Sequence, residues 1–175
     1  MSLVLKREKT SYTPAPEGLH SAVCCDVEDL GEVDSPWGKK PTVKIYWQIE
    51  ENNPDNENKP FIVSQRYNAS LHEKSNLRKM LEAWRGKKYS DEELEAVDLE
   101  KLIGINCQVQ VQHNIAGEGG VYANVTAVVP SSKTGVRLRV SQDYVRRRDR
   151  EERKAIENGE RGGNGYHATD ADVPF

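Results

Sequence analysis

The sequence predicts a mainly β protein: a five-stranded barrel with a helical insertion between strands 3 and 4, followed by a largely disordered C-terminal tail. Three observations carry this. Five segments between residues 17 and 130 alternate apolar and polar residues with period two; a stretch of helical spacing separates the third from the fourth; and apolar residues thin out beyond Pro130. With 175 residues the chain suits one core of ordinary size plus an appendage. Apolar residues are 36% and charged residues 30% of the chain, so a core requires that the apolar ones be concentrated, as they are in 17–130.

Residues 1–16 are polar, end in Pro14-Ala15-Pro16, and read as an extended N-terminal arm. Strand 1 follows from Gly18, with Leu19, Ser21, Val23, Cys25 and Val27 sharing a face. The turn formers of Asp34-Ser35-Pro36-Trp37-Gly38 reverse the chain into strand 2. There Val43, Ile45, Trp47 and Ile49 face one way and Lys44, Tyr46, Gln48 and Glu50 the other. After a polar loop at 52–58, Phe61 to Tyr67 forms strand 3.

Ser70 and Glu73 have capping-box spacing, and Leu77, Met80, Leu81 and Trp84 fall on one stripe, which predicts a helix over about 73–85. Ser90 and Glu93 repeat the capping signal for a short helix through Ala96, and Leu99, Leu102 and Ile103 end the insertion at Gly104. Ile105, Cys107, Val109 and Val111 alternate as strand 4. Gly117, Gly119 and Gly120 make a hairpin tip, and Val121, Ala123, Val125 and Ala127 alternate as strand 5. Three strands, a helix and two strands is the order of the oligonucleotide-binding (OB) barrel, whose face over strands 2 and 3 carries nucleic acid.

Charge does not decide for or against such a ligand. The net charge of −3 averages a tail (131–175) with ten Lys/Arg and eight Asp/Glu and a body (1–130) with fifteen and twenty. At ~0.1 M salt, charges beyond about 10 Å are screened, so a local basic groove outweighs the sum. No apolar run is long enough to cross a bilayer and the N-terminus lacks a signal-peptide pattern, so a cytoplasmic location without membrane attachment is expected. The three cysteines show no metal-ligand spacing and read as reduced, buried thiols; neither a metal nor another cofactor is expected. The four histidines are scattered singly, with no phosphate-cradling glycine loop and no nucleophile motif, which argues against an enzyme.

Residues 131–169 are charged and glycine-rich and read as a flexible linker; a helix around 143–157 would present Arg146, Arg147, Arg148 and Arg150, either to phosphates or as a solvated face. The chain then ends in Asp170-Ala171-Asp172-Val173-Pro174-Phe175. A terminal Phe brings a ring and a carboxylate together, suited to an apolar pocket with a basic rim, and Pro174 limits the freedom lost on docking. This tip resembles the C-terminal tip of bacterial single-stranded DNA-binding proteins, an aspartate run followed by Ile-Pro-Phe; here Ala171 interrupts the acids and Val173 stands for isoleucine. The body is similar to phage-encoded single-stranded DNA-binding proteins in the Trp47 strand, the helix start Glu73 to Lys79, and Tyr122-Ala123-Asn124-Val125.

The resemblance implies binding and protection of single-stranded DNA, without strong sequence specificity, in replication, recombination and repair. It points to a viral or mobile-element origin, with bacteriophage and bacterial chromosome both left open as the source, and to the bacterial host cytoplasm as the compartment if the chain is phage-encoded. Asp170, Asp172, Val173, Pro174 and Phe175 would recruit host or phage replication and repair proteins. Binding of this kind needs a basic track and aromatic faces. The residues expected to supply them are Trp37, Lys39, Lys40, Lys44, Tyr46, Gln48, Arg66 and Tyr122. Packing under a helix or in a homo-oligomer contact is the alternative for Tyr46, and loop anchoring for Trp37; Trp47 and Trp84 are expected in the core. Two other functions fit the same residues: a recombination mediator or strand-annealing accessory, and an OB domain that binds only proteins.

Overall fold

A computed structural model describes residues 13–115, 120–135 and 137–150. The tip at 170–175, expected to recruit partners, lies outside them. Five strands, β1 (Gly18–Ser35), β2 (Gly38–Asn53), β3 (Lys59–Asn68), β4 (Asn106–Ile115) and β5 (Val121–Pro130), form one antiparallel sheet in the order β3-β2-β1-β4-β5. The expected five strands are present, each longer than its alternation pattern indicates. β1 is shared: Gly18–Val23 pairs with β4 and Ala22–Ser35 with β2. No ladder joins the edge strands β3 and β5 among the described residues, although the two approach one another.

β1 changes faces at a bulge. Cys24 pairs with Trp47 and Asp26 with Tyr46, which leaves Cys25 as the extra residue. Ala22, Cys24 and, beyond the bulge, Val27 pack with the core, whereas Val23, Cys25 and Asp26 are buried outside that cluster. The grouping of Val27 with Val23 and Cys25 therefore fails, because strict alternation cannot register an inserted residue. A second irregularity at Gly31 uses a left-handed backbone (φ 65°) that glycine adopts without strain.

The helix α1 spans Asn76–Arg85, later than the expected 73. Ser75, not Ser70, is its N-cap: the Ser75 hydroxyl accepts the Arg78 N–H (3.1 Å) and donates to the Ser70 carbonyl (2.6 Å). Leu77, Met80, Leu81 and Trp84 bury their stripe against β3 and β5. The short α2 (Asp91–Leu94) does begin with the Ser90–Glu93 capping box, but ends before Ala96, and a 3-10 turn follows at Leu99–Leu102.

Trp47 and Trp84 sit in the core with ring centroids 6.1 Å apart and planes tilted by 58°. All three cysteines are free and buried. Part of the N-terminal arm is clipped to this body: Ala15 is buried, and its carbonyl accepts a hydrogen bond from His113 Nε2 (2.6 Å).

The largest difference from the sequence reading concerns the segment expected to be linker. Residues 138–150, called the strap below, cross the face of the sheet opposite the core. Asn106 on β4 bonds Leu138 reciprocally (2.7 and 3.0 Å), Gln48 on β2 accepts from Ser141, and Asp26 on β1 accepts from Tyr144, Arg146 and Arg147. The strap has few apolar residues, and hydrogen bonds rather than hydrophobic burial hold it.

Candidate nucleic-acid interface

The outer face of β2 and β3 is a ladder of opposed pairs: Lys44 with Arg66, Tyr46 with Ser64, Gln48 with Ile62. At one end the pairing sets two cations side by side, an arrangement that costs stability on a sheet surface unless an anion intervenes. Arg147 of the strap joins them. Its guanidinium lies 4.7 Å from the Tyr46 ring centroid, and Lys44 Nζ lies 5.0 Å from the same ring.

Lys44 is held below the ordinary lysine pKa by loss of solvent and by the charges of Arg66 and Arg147, with Glu28 opposing. Glu28 faces Lys44 across the β1–β2 ladder, but its Oε1 takes the Tyr46 hydroxyl (2.9 Å). Burial, followed by this bond to Glu28, pushes the Tyr46 phenol up to about 12. Among the described residues, Lys44, Arg66 and Arg147 form no ion pair.

The strap's anchor is Asp26, only 1% exposed. Its carboxylate accepts four hydrogen bonds: the Val27 N–H (2.8 Å), the Tyr144 hydroxyl (2.8 Å), Arg146 Nε (3.1 Å) and the Arg147 N–H (2.8 Å). A buried carboxylate needs this degree of satisfaction. The bulge at Cys25 makes it feasible, since it keeps Asp26 on the outer face rather than in the core. Arg146 also pairs with Glu100 (2.7 Å), which ties the strap to the 3-10 turn.

The expected site residues thus separate into three groups. Trp37, Lys39, Arg66 and Tyr122 are open to solvent, Trp37 at 85% exposure on the β1–β2 tip and Tyr122 at 56% near the β4–β5 tip. Lys40 and Lys44 are half-buried. Tyr46 (3% exposed) and Gln48 (4%) lie beneath the strap, so Tyr46 carries cations on its ring rather than presenting an open stacking face. Gln48 Oε1 accepts both the backbone N–H and the hydroxyl of Ser141 (2.9 and 3.3 Å).

Asp26, Ser141 and Tyr144 escaped the sequence reading. One signal was available: Tyr144 is the single aromatic residue between Tyr122 and Tyr166. Among the described residues no group of three or more His, Cys, Asp or Glu is placed to hold a metal ion, and no helix is long and apolar enough to cross a membrane. In comparisons with known proteins, no family model matches the chain and no curated protein matches it at a significant level.

Proposed function

We propose that this protein binds single-stranded DNA non-specifically on the outer face of β2 and β3, and that the five strands constitute an OB-type barrel. The observation that carries the reading is the cluster of Lys44, Arg66 and Arg147, three cations from three elements that form no ion pair among the described residues. A phosphodiester backbone is the partner such a cluster suits, since it supplies regularly spaced negative charge. Exposed Trp37 and Tyr122 add aromatic faces that stack on bases without regard to sequence.

The barrel assignment draws on strand order. A long first strand shared between β2 and β4, a helix between β3 and β4, and edge strands that approach one another all suit it. Recruitment of replication and repair proteins by Asp170, Asp172 and Phe175 remains part of the proposal, on the resemblance of the terminal residues.

The test compares oligo-dT with a duplex of equal length. Tighter binding of the single strand, weakening steeply with salt, supports the reading. Equal affinity, or none at low salt, refutes it and favours the protein-binding alternative. Annealing of complementary strands would instead indicate the mediator.

A further inference from the structure

A cavity of about 410 Å³ lies between the strap and the far end of the β2–β3 ladder, with Gln48, Ile62, Lys59, Tyr144, Val145 and Arg150 in its walls. We infer that it is a nucleobase pocket, a subsite that receives one base of the bound strand; the inference rests on the functional reading above.

Ile62 is 40% exposed, a large aliphatic side chain in line with polar Ser64 and Arg66 on the same face of β3. With Val145 and the Tyr144 ring it makes an apolar wall for a flat, weakly hydrated ligand. Gln48 supplies orientation. Its carbonyl oxygen is taken by the Ser141 backbone N–H and hydroxyl, which fixes the amide and leaves the NH2 as the group it can offer, a donor to a base carbonyl or ring nitrogen.

The rim argues against a free anion as the ligand. Lys59 is engaged by Glu57 (3.5 Å) and Asp143 (3.4 Å), and Arg150 lies over the Tyr144 ring (5.4 Å) while its Nε donates to the Val145 carbonyl (2.9 Å). Position agrees as well. Gln48 and Ile62 lie four residues along their strands from Lys44 and Arg66, about 13 Å at ~3.3 Å per residue, so a strand held at the cation cluster can continue into the cavity.

The same base could arrive on a free nucleotide, so the experiment uses both sources. Full-length protein, wild type and Ile62→Glu, is titrated with oligo-dT, with an abasic oligomer of equal phosphate number, and with thymidine monophosphate. The charge added at residue 62 acts on both polymers alike, so the ratio of their affinities isolates the base. We expect wild type to prefer oligo-dT by tenfold or more, Ile62→Glu to cut that ratio by about fivefold, and thymidine monophosphate to bind no tighter than roughly millimolar. Gln48→Glu, which keeps the acceptor for Ser141 and removes the NH2, should lower the ratio in the same direction. A ratio unchanged by Ile62→Glu, or tight binding of the free nucleotide, would each overturn the pocket alone. Equal binding of the two polymers by wild type would overturn the pocket together with base stacking by Trp37 and Tyr122, and leave only phosphate binding at the cation cluster. A wild-type chain that binds neither polymer overturns the functional reading and the pocket together.

Discussion

The buried Asp26 carboxylate accepts the backbone N–H of Arg147 at 2.8 Å while the Arg147 guanidinium rests 4.7 Å from the Tyr46 ring. One residue of the strap is thereby anchored to β1 through its backbone and placed over β2 through its side chain. The anchor sets where the third cation of the cluster stands, and this coupling between stability and site makes the strap testable.

Asp26→Asn keeps the shape of the side chain but removes its charge and turns one acceptor into a donor, facing the Tyr144 hydroxyl or the Arg146 guanidinium. Removing one partner from a buried charged pair costs about 3 kcal/mol or more. Urea denaturation should show a loss of that order, and the amides of 141–150 should lose hydrogen-exchange protection ahead of those in β1 and β2. A variant as stable and as protected as wild type would mean that Asp26 does not hold the strap.

Lys44 predicts a proton linkage. Its pKa is depressed in the free protein by burial and by Arg66 and Arg147, and a bound phosphate would restore it. Binding should therefore be accompanied by proton uptake just below the ordinary lysine pKa, and affinity should fall as pH rises through the depressed value. Calorimetry in two buffers of different ionisation enthalpy measures the uptake. Lys44→Gln should abolish it.

Tyr46 titrates late for a separate reason. With its phenol raised from 10 to about 12, the protonated form is the one the fold favours, so its contribution to stability is full below pH 10 and is lost between pH 10 and 12. Spectrophotometric titration of wild type against Tyr46→Phe should assign to Tyr46 a phenol that ionises near pH 12, and the variant should flatten the fall in stability across that window.

The three tryptophans report on different places. Trp37 is 85% exposed, Trp47 fully buried and Trp84 3% exposed, so acrylamide should quench one component easily and two poorly. Oligo-dT should shield the accessible component, and Trp37→Phe should remove it. Shielding of an unchanged fraction in that variant would place the stacking elsewhere.

The strands were legible because one face of each meets a core, which writes period two into β2 and β4. In β5 the expected alternation through Ala127 fails, because the ladder shifts register opposite Gln110 and Val111 and buries Val128 while Ala127 is exposed. What was not legible came from pairings distant in sequence. The Ser141 contact with Gln48 spans 93 residues and the Arg147 contact with Asp26 spans 121, and polar residues that will bond one another leave no periodic mark. Charged segments such as 146–150 look alike whether solvated or docked. The bulge at Cys25 was hidden for a related reason: alternation fails over a single residue, which is too short for a pattern to show. Lys44 and Arg66 were both legible as outward residues, but their direct opposition needed the register.

That opposition supplies the most direct test. Replacing the pair, Lys44→Gln with Arg66→Gln, removes two like charges that face one another, so thermal stability should be unchanged or a few tenths of a kcal/mol higher. The affinity of the full-length double variant for oligo-dT, measured against salt, should fall, and the slope of log K against log salt should become shallower by about 1.4, some 0.7 for each lost phosphate contact. An unchanged slope in a folded double variant would contradict the assignment of phosphate binding to this face.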